Sequence, residues 1–115
     1  MELYDLQQAA VAFASERDWG QFHDPKNLCM VLASEVGELN AILRWVPAGA
    51  VDDYLGEGST RHAFKAEIAD ITILILLLSD RTGIDLRTAV FDKLAENAIK
   101  YPAEASRGQA EPPKH

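Results

Sequence analysis

Residues 71–78 read Ile-Thr-Ile-Leu-Ile-Leu-Leu-Leu, apolar at nearly every position. The run does not alternate with period two, so it does not read as a half-buried strand. As a helix it is apolar almost all the way round and must be covered on every side. It is also far shorter than the ~20 residues that span a bilayer. A chain of 115 residues fits one domain. At that size it buries less than about 70% of its unfolded surface. Three other helices of a small monomer can hardly cover such an element alone, and oligomerisation is the usual remedy.

The rest of the chain is also helical in pattern, with five prolines, seven glycines and no alternating stretch. Helical spacing of Leu3, Leu6, Ala10, Phe13 and Ala14 predicts a first helix from Leu3 to Asp18. Gly20 and Pro25 punctuate the segment that follows. A second helix is expected from Asn27, as N-cap, to Trp45, stopped by Pro47 and Gly49. After a loop from Val46 to Ser59, a third should begin past Ser59 or Thr60, run to Arg81 and end at Gly83. Asp85 can cap a fourth that reaches Tyr101 before Pro102. The expected fold is all-α, a four-helix bundle protomer within an intertwined oligomer. Residues 1–102 form the domain and 103–115 a polar, flexible tail.

Eighteen acidic against eleven basic side chains give a net charge of −7. That balance argues against a nucleic-acid polymer as partner, because polymer binding needs a surplus of lysine and arginine. The lone Cys29 excludes a disulfide framework and a cysteine-rich zinc site, and is read as a small core residue. MELYDLQQAA carries neither a basic nor an apolar leader region. The expectation is a cytoplasmic protein with no membrane partner.

Two acidic pairs stand in unusual places. At about 100° per residue, Leu28, Val31, Leu32, Leu39, Ile42 and Leu43 form one apolar arc. Glu35 falls in its middle and Glu38 at its edge. Glu67 lies between the directions of Ile71, Leu74 and Leu78, and Asp70 lies beside Leu77. By contrast, Glu2 and Asp5 suit an ordinary solvated helix start. Burying a carboxylate costs several kcal/mol unless something pairs with it. Salt bridges are one compensation, but Arg44, Arg61 and Lys65 are few and mostly point elsewhere. A divalent cation is the other. A donor set of oxygens without histidine favours Mg2+, with Mn2+ also possible, over zinc or di-iron chemistry.

Magnesium suits phosphoanhydride chemistry, which also calls for cationic partners. Lys93, Asn97 and Lys100 follow i, i+4, i+7 on the fourth helix. They read either as lysines snorkelling from a core edge or as a triphosphate clamp. Trp19, Phe22 and His23 on the first loop, with Trp45 past the first acidic pair, read as core plugs or as a stacking enclosure for a nucleobase.

Glu35-x-x-Glu38, 28 intervening residues and Glu67-x-x-Asp70 resemble the signature of the MazG-like all-α nucleoside triphosphate pyrophosphatases. The blocks Glu16-Arg17-Asp18-Trp19, Gln21 to Leu28, Ser34 to Leu39, and Lys93-x-x-x-Asn97-x-x-Lys100-Tyr101-Pro102 are similar to the small dCTP pyrophosphatase-like branch. The likeness runs from about Leu3 to Pro102. It implies magnesium-dependent hydrolysis of a (deoxy)nucleoside triphosphate, dCTP-like preferred, to monophosphate and pyrophosphate in nucleotide-pool sanitation. It implies that Glu35, Glu38, Glu67 and Asp70 hold the metal and that Trp19, Gln21, Phe22, His23 and Trp45 enclose base and sugar. Lys93, Asn97 and Lys100 would meet the phosphates with Tyr101 close by, in a homotetramer built as a dimer of dimers. Water would attack the α-phosphorus, and Glu38 would accept its proton.

Three positions depart from the branch pattern. Leu74 stands where relatives often carry tyrosine, Ala10 where the branch has a substrate-side histidine, and Lys100 where it has arginine. Base preference and deoxyribose discrimination should shift accordingly. Two alternatives share parts of the pattern: a non-catalytic helical oligomerisation or partner-binding module, and a dUTP or phosphoribosyl-ATP hydrolase.

Overall fold

The computed structural model describes residues 1–111. These residues hold six α-helices and no strand: α1 (Leu3–Glu16), α2 (Pro25–Leu43), α3 (Val51–Tyr54), α4 (Gly58–Thr82), α5 (Leu86–Lys100) and α6 (Ala103–Ser106). The all-α expectation holds, with the four long helices near their expected places. Single 3-10 turns at Gly20–Phe22 and Ala48–Ala50 join α1 to α2 and α2 to α3. The chain divides into two compact units, one ending at Gly83 and one starting at Ile84.

In the first unit α4 packs against both α1 and α2. Each end of these helices has a local cause. Asp24, not Asn27, caps α2: its carboxylate accepts the Asn27 backbone N–H at 2.9 Å. Pro25 takes the first helical position, where a missing N–H costs nothing. Asn27 instead braces the turn, its amide donating to Asp24 Oδ2 at 2.8 Å and to the Phe22 carbonyl at 3.2 Å. Gly83, at φ 73°, ends α4 in the left-handed conformation that lacks a Cβ penalty. The loop expected from Val46 to Ser59 contains the short α3, and α4 starts slightly earlier than expected.

One contact ties α1 to α4. The Gln7 amide donates to Ser79 Oγ at 2.8 Å and to the Leu76 carbonyl at 3.3 Å. Ser79 in turn donates to the Leu76 carbonyl at 2.9 Å, so this buried polar group is satisfied. The described chain buries little else: Ala14, Leu28 and Leu76 are its fully buried hydrophobic residues, Leu28 at 2% exposure. Along α4, Ile68, Ile73 and Ile75 remain exposed. Cys29 is exposed rather than in the core. Among the described residues, no helix is long and apolar enough to cross a membrane.

In the second unit α5 is a single helix whose last turn leads through Tyr101 and Pro102 into α6. The tail expected from 103 to 115 therefore opens with a helical turn, and residues 112–115 lie outside the described residues.

Asp18 is the one non-glycine residue with positive φ among the described residues, at 55°. That conformation costs most side chains about 1–2 kcal/mol. Gln21 stabilises it by donating to the Asp18 carbonyl at 3.0 Å and to its carboxylate at 3.1 Å. Asp18→Val should lose roughly 1–2 kcal/mol in thermal or urea unfolding, while Asp18→Gly stays near wild type. Equal stability of the two variants would contradict this account.

Candidate functional site

The starts of α2 and α4 set which side chains meet. With α2 beginning at Pro25 and packing on α4, Glu35 and Glu38 come to the side where Glu67 projects from α4. Carboxylate oxygens of Glu35, Glu38 and Glu67 all lie within 4.8 Å of one another. One oxygen of Glu35 and one of Glu67 are closed off from solvent and have no hydrogen-bond partner. Glu38 is exposed, in keeping with its place at the edge of the apolar arc. Asp70 lies outside this group of three but near enough for its charge to act on Glu35.

Salt bridges do not account for the cluster. The ion pairs among the described residues are Arg17–Glu16 and Lys93–Glu96, and neither involves these acids. Arg61 donates instead to the Leu55 carbonyl at 3.2 Å, and the Arg44 guanidinium lies 5.3 Å from the Trp45 ring. Glu35 is consequently pushed above the usual carboxylate range. The facing Glu67 carboxylate contributes most, as an acceptor for the proton that Glu35 keeps, followed by burial and by the charge of Glu67. Contact with Glu38 opposes the shift and the charge of Asp70 adds to it. Two facing carboxylates can bond to each other only if one keeps a proton, and a cation removes that need.

Beside the acids a cleft of about 850 Å³ opens between α1 and α4. Leu6, Ala10 and Phe13 line one side and Ile73, Leu74 and Leu77 the other. Trp19 and His23 reach it from the first loop, and Glu35 and Asp70 stand on its wall. Ala10 and Leu74, two of the three departures from the branch pattern, thus face one cleft. Its polar side chains are confined to Trp19, His23, Thr72 and the two acids. Thr72 already donates to the Ile68 carbonyl at 2.8 Å.

Of the expected binding residues in the first unit, Gln21, Phe22 and Trp45 do not line this cleft. Gln21 turns back to Asp18, and Phe22 and Trp45 are exposed, Trp45 at 84%. Lys93, Asn97, Lys100 and Tyr101 belong to the second unit. There Lys93 lies 3.6 Å from Glu96, the Lys100 ammonium 5.3 Å from the Tyr101 ring, and Tyr101 donates its backbone N–H to the Asn97 carbonyl at 2.7 Å. Helical spacing places Phe13 on the apolar face of α1, and the structure shows that it also lines the cleft next to Trp19. Its i, i+4 relation to Arg17 was the available signal, since that spacing stacks the two on one helix face.

No family model matches the chain. It is 39% identical over 108 residues to dCTP pyrophosphatase 1 of Bos taurus and 36% identical to that of Homo sapiens. Those matches cover 94% of this chain and 64% of each relative, so the chain spans less than two thirds of the curated relatives' length. The crystal structure of a pyrophosphatase from Archaeoglobus fulgidus DSM 4304 superposes with a TM-score of 0.80 at 32% identity. That superposition covers 87% of this chain and 92% of the archaeal one.

Proposed function

The chain belongs to the MazG-like all-α pyrophosphatase family, and from that premise we propose that it hydrolyses a deoxynucleoside triphosphate to the monophosphate and pyrophosphate. The observation that carries the reading is the pair of solvent-closed, unpartnered oxygens on Glu35 and Glu67 beside Glu38. Oxygen donors, a net negative cluster and no paired lysine or arginine suit a hard divalent ion. Glu35, Glu38, Glu67 and Asp70 would hold Mg2+, with Mn2+ as a substitute. When bound, the ion lowers the pKa of water and neutralises charge on the phosphates.

The chain's own groups supply the rest. Glu38, the exposed member of the cluster, accepts the proton of the attacking water. Trp19 and His23 stack on and orient the base in the cleft, which excludes water from one side of the nucleotide. Gln21, Phe22 and Trp45 are assigned to the same enclosure on the family resemblance. Lys93, Asn97 and Lys100, on one face of α5, are assigned to the phosphates, with Tyr101 beside them. A dCTP-like substrate is preferred, in keeping with the names of the curated relatives. Ala10 and Leu74 offer no imidazole and no phenolic hydroxyl at their own two places on the cleft wall, so base preference broadens. The role this chemistry fits is cytoplasmic sanitation of the nucleotide pool.

Incubation with a panel of common and modified nucleoside triphosphates, dUTP and phosphoribosyl-ATP included, tests the reading. Pyrophosphate, not single phosphate, should appear only with Mg2+ or Mn2+, and fastest with deoxynucleotides. Absence of pyrophosphate from every nucleotide at high magnesium would overturn it. Magnesium with a non-hydrolysable triphosphate should also raise the melting temperature, since a ligand of the native state alone adds stability. An unshifted melt at saturating nucleotide would count for the non-catalytic module.

A further inference from the structure

Arg17 lies outside the cleft but in contact with its wall. Its guanidinium carbon sits 3.6 Å from the centroid of the Phe13 ring, and Nη1 donates to the Phe13 carbonyl at 3.0 Å. Glu16 holds the same nitrogen at 3.5 Å. Phe13 in turn meets Trp19 nearly edge to face, with ring centroids 5.8 Å apart and planes at 70°. Both rings line the cleft and Arg17 does not. The Trp19 backbone is anchored too, its N–H donating to the Ala14 carbonyl at 3.0 Å through the left-handed turn at Asp18.

From this arrangement we infer that Phe13 is a further base-stacking residue and that Arg17 is a positioning residue which presets the Phe13–Trp19 wall. The inference rests on the nucleotide reading above and extends it. A cation stacked against Phe13 limits the swing of a half-exposed ring. A wall already ordered loses less entropy when a base stacks on it, and that saving appears in affinity rather than in the chemical step. A cleft with so few polar side chains also has little means of holding a base by its edge, which leaves stacking as the main source of affinity. If Arg17 served only to cap α1 through the Phe13 carbonyl, its loss would lower stability and leave affinity unchanged.

Arg17→Gln and Arg17→Lys separate the two roles, with kcat and KM measured beside the Kd of a non-hydrolysable deoxynucleoside triphosphate and magnesium by calorimetry. Arg17→Gln should raise KM and Kd about fivefold with kcat within about twofold, and Arg17→Lys, which keeps the charge, about twofold. Phe13→Leu should raise both constants by at least as much as Arg17→Gln. Constants within twofold of wild type in Arg17→Gln and Phe13→Leu, or a fall in kcat at unchanged KM, would overturn the inference while leaving the reaction intact. Wild-type protein that binds the analogue but releases no pyrophosphate would sink the reaction instead, and the Kd series would still judge the wall. No binding by the wild type sinks both.

Discussion

Glu35→Gln is expected to lower turnover by at least about a hundredfold and, in the same protein, to raise the melting temperature measured in EDTA. The first effect follows from removing one charged oxygen ligand, because metal stabilisation of developing phosphate charge is worth several kcal/mol and each 1.36 kcal/mol is about tenfold in rate. The second follows from the raised value of Glu35. A carboxyl held above its unfolded value binds its proton more tightly in the native state. Its ionisation therefore removes stability as pH rises from the ordinary carboxylate range, near 4.5, through the raised folded value. A neutral amide of similar shape removes that loss. Metal-free wild type should accordingly melt lower at pH 7 than this one group would allow at pH 5, and magnesium should reverse the difference. Melting curves across pH in EDTA and in magnesium check both signs. Full activity in Glu35→Gln would remove Glu35 from the ligand set, and a lower EDTA melting temperature would contradict the unpaired-carboxylate account.

Ile75→Asp should have the largest effect on assembly. Ile75 sits on α4 at 36% exposure and does not line the cleft, and Ile68 on the same helix is also open. On a truly solvated surface such a change moves stability by about 0.5 kcal/mol or less. Within an apolar subunit interface it buries an unpaired charge and costs several kcal/mol. We propose that these side chains are covered by other copies of the chain, in a tetramer built as a dimer of dimers. Light scattering on the wild type should then give four times the chain mass of 12.7 kDa, and Ile75→Asp should fall to smaller species with a lower melting temperature. A monomeric wild type, or a variant with unchanged mass and stability, would remove the proposed assembly.

Much of the fold was legible because its causes are local. Helical period, glycine at 83 and proline at 102 locate the long helices to within a few residues, and Gly83 ends α4 as its φ of 73° requires. The N-cap of α2 lies three residues before the expected Asn27, because Asp24 and Asn27 are both good caps. The choice between them depends on Pro25, which fits the first helical position and so favours Asp24. Cys29 was misassigned to the core for a different reason. Its neighbour Leu28 is fully buried, and one step along a helix turns a side chain by about 100°.

The candidate site divides along the same line. That Glu35 and Glu67 lie on apolar stripes could be read from periodicity, and their solvent-closed oxygens agree with it. The pairing of α2 with α4 that brings Glu38 within reach of both could not, because periodicity describes one helix at a time. The convergence of Ala10 and Leu74 on one cleft, and the packing of Arg17, Phe13 and Trp19 beside it, depend on contacts between elements or across a turn.

From sequence alone came the helices, the misplaced carboxylates and the run from Ile71 to Leu78 that is apolar almost all the way round. Those are consequences of backbone propensity and of the cost of hydrating apolar groups or burying charge, which act residue by residue. Tertiary structure decided which carboxylates touch, where the cleft opens and which rings form its wall. Distances between helices are set by packing many side chains at once, and no single segment encodes them.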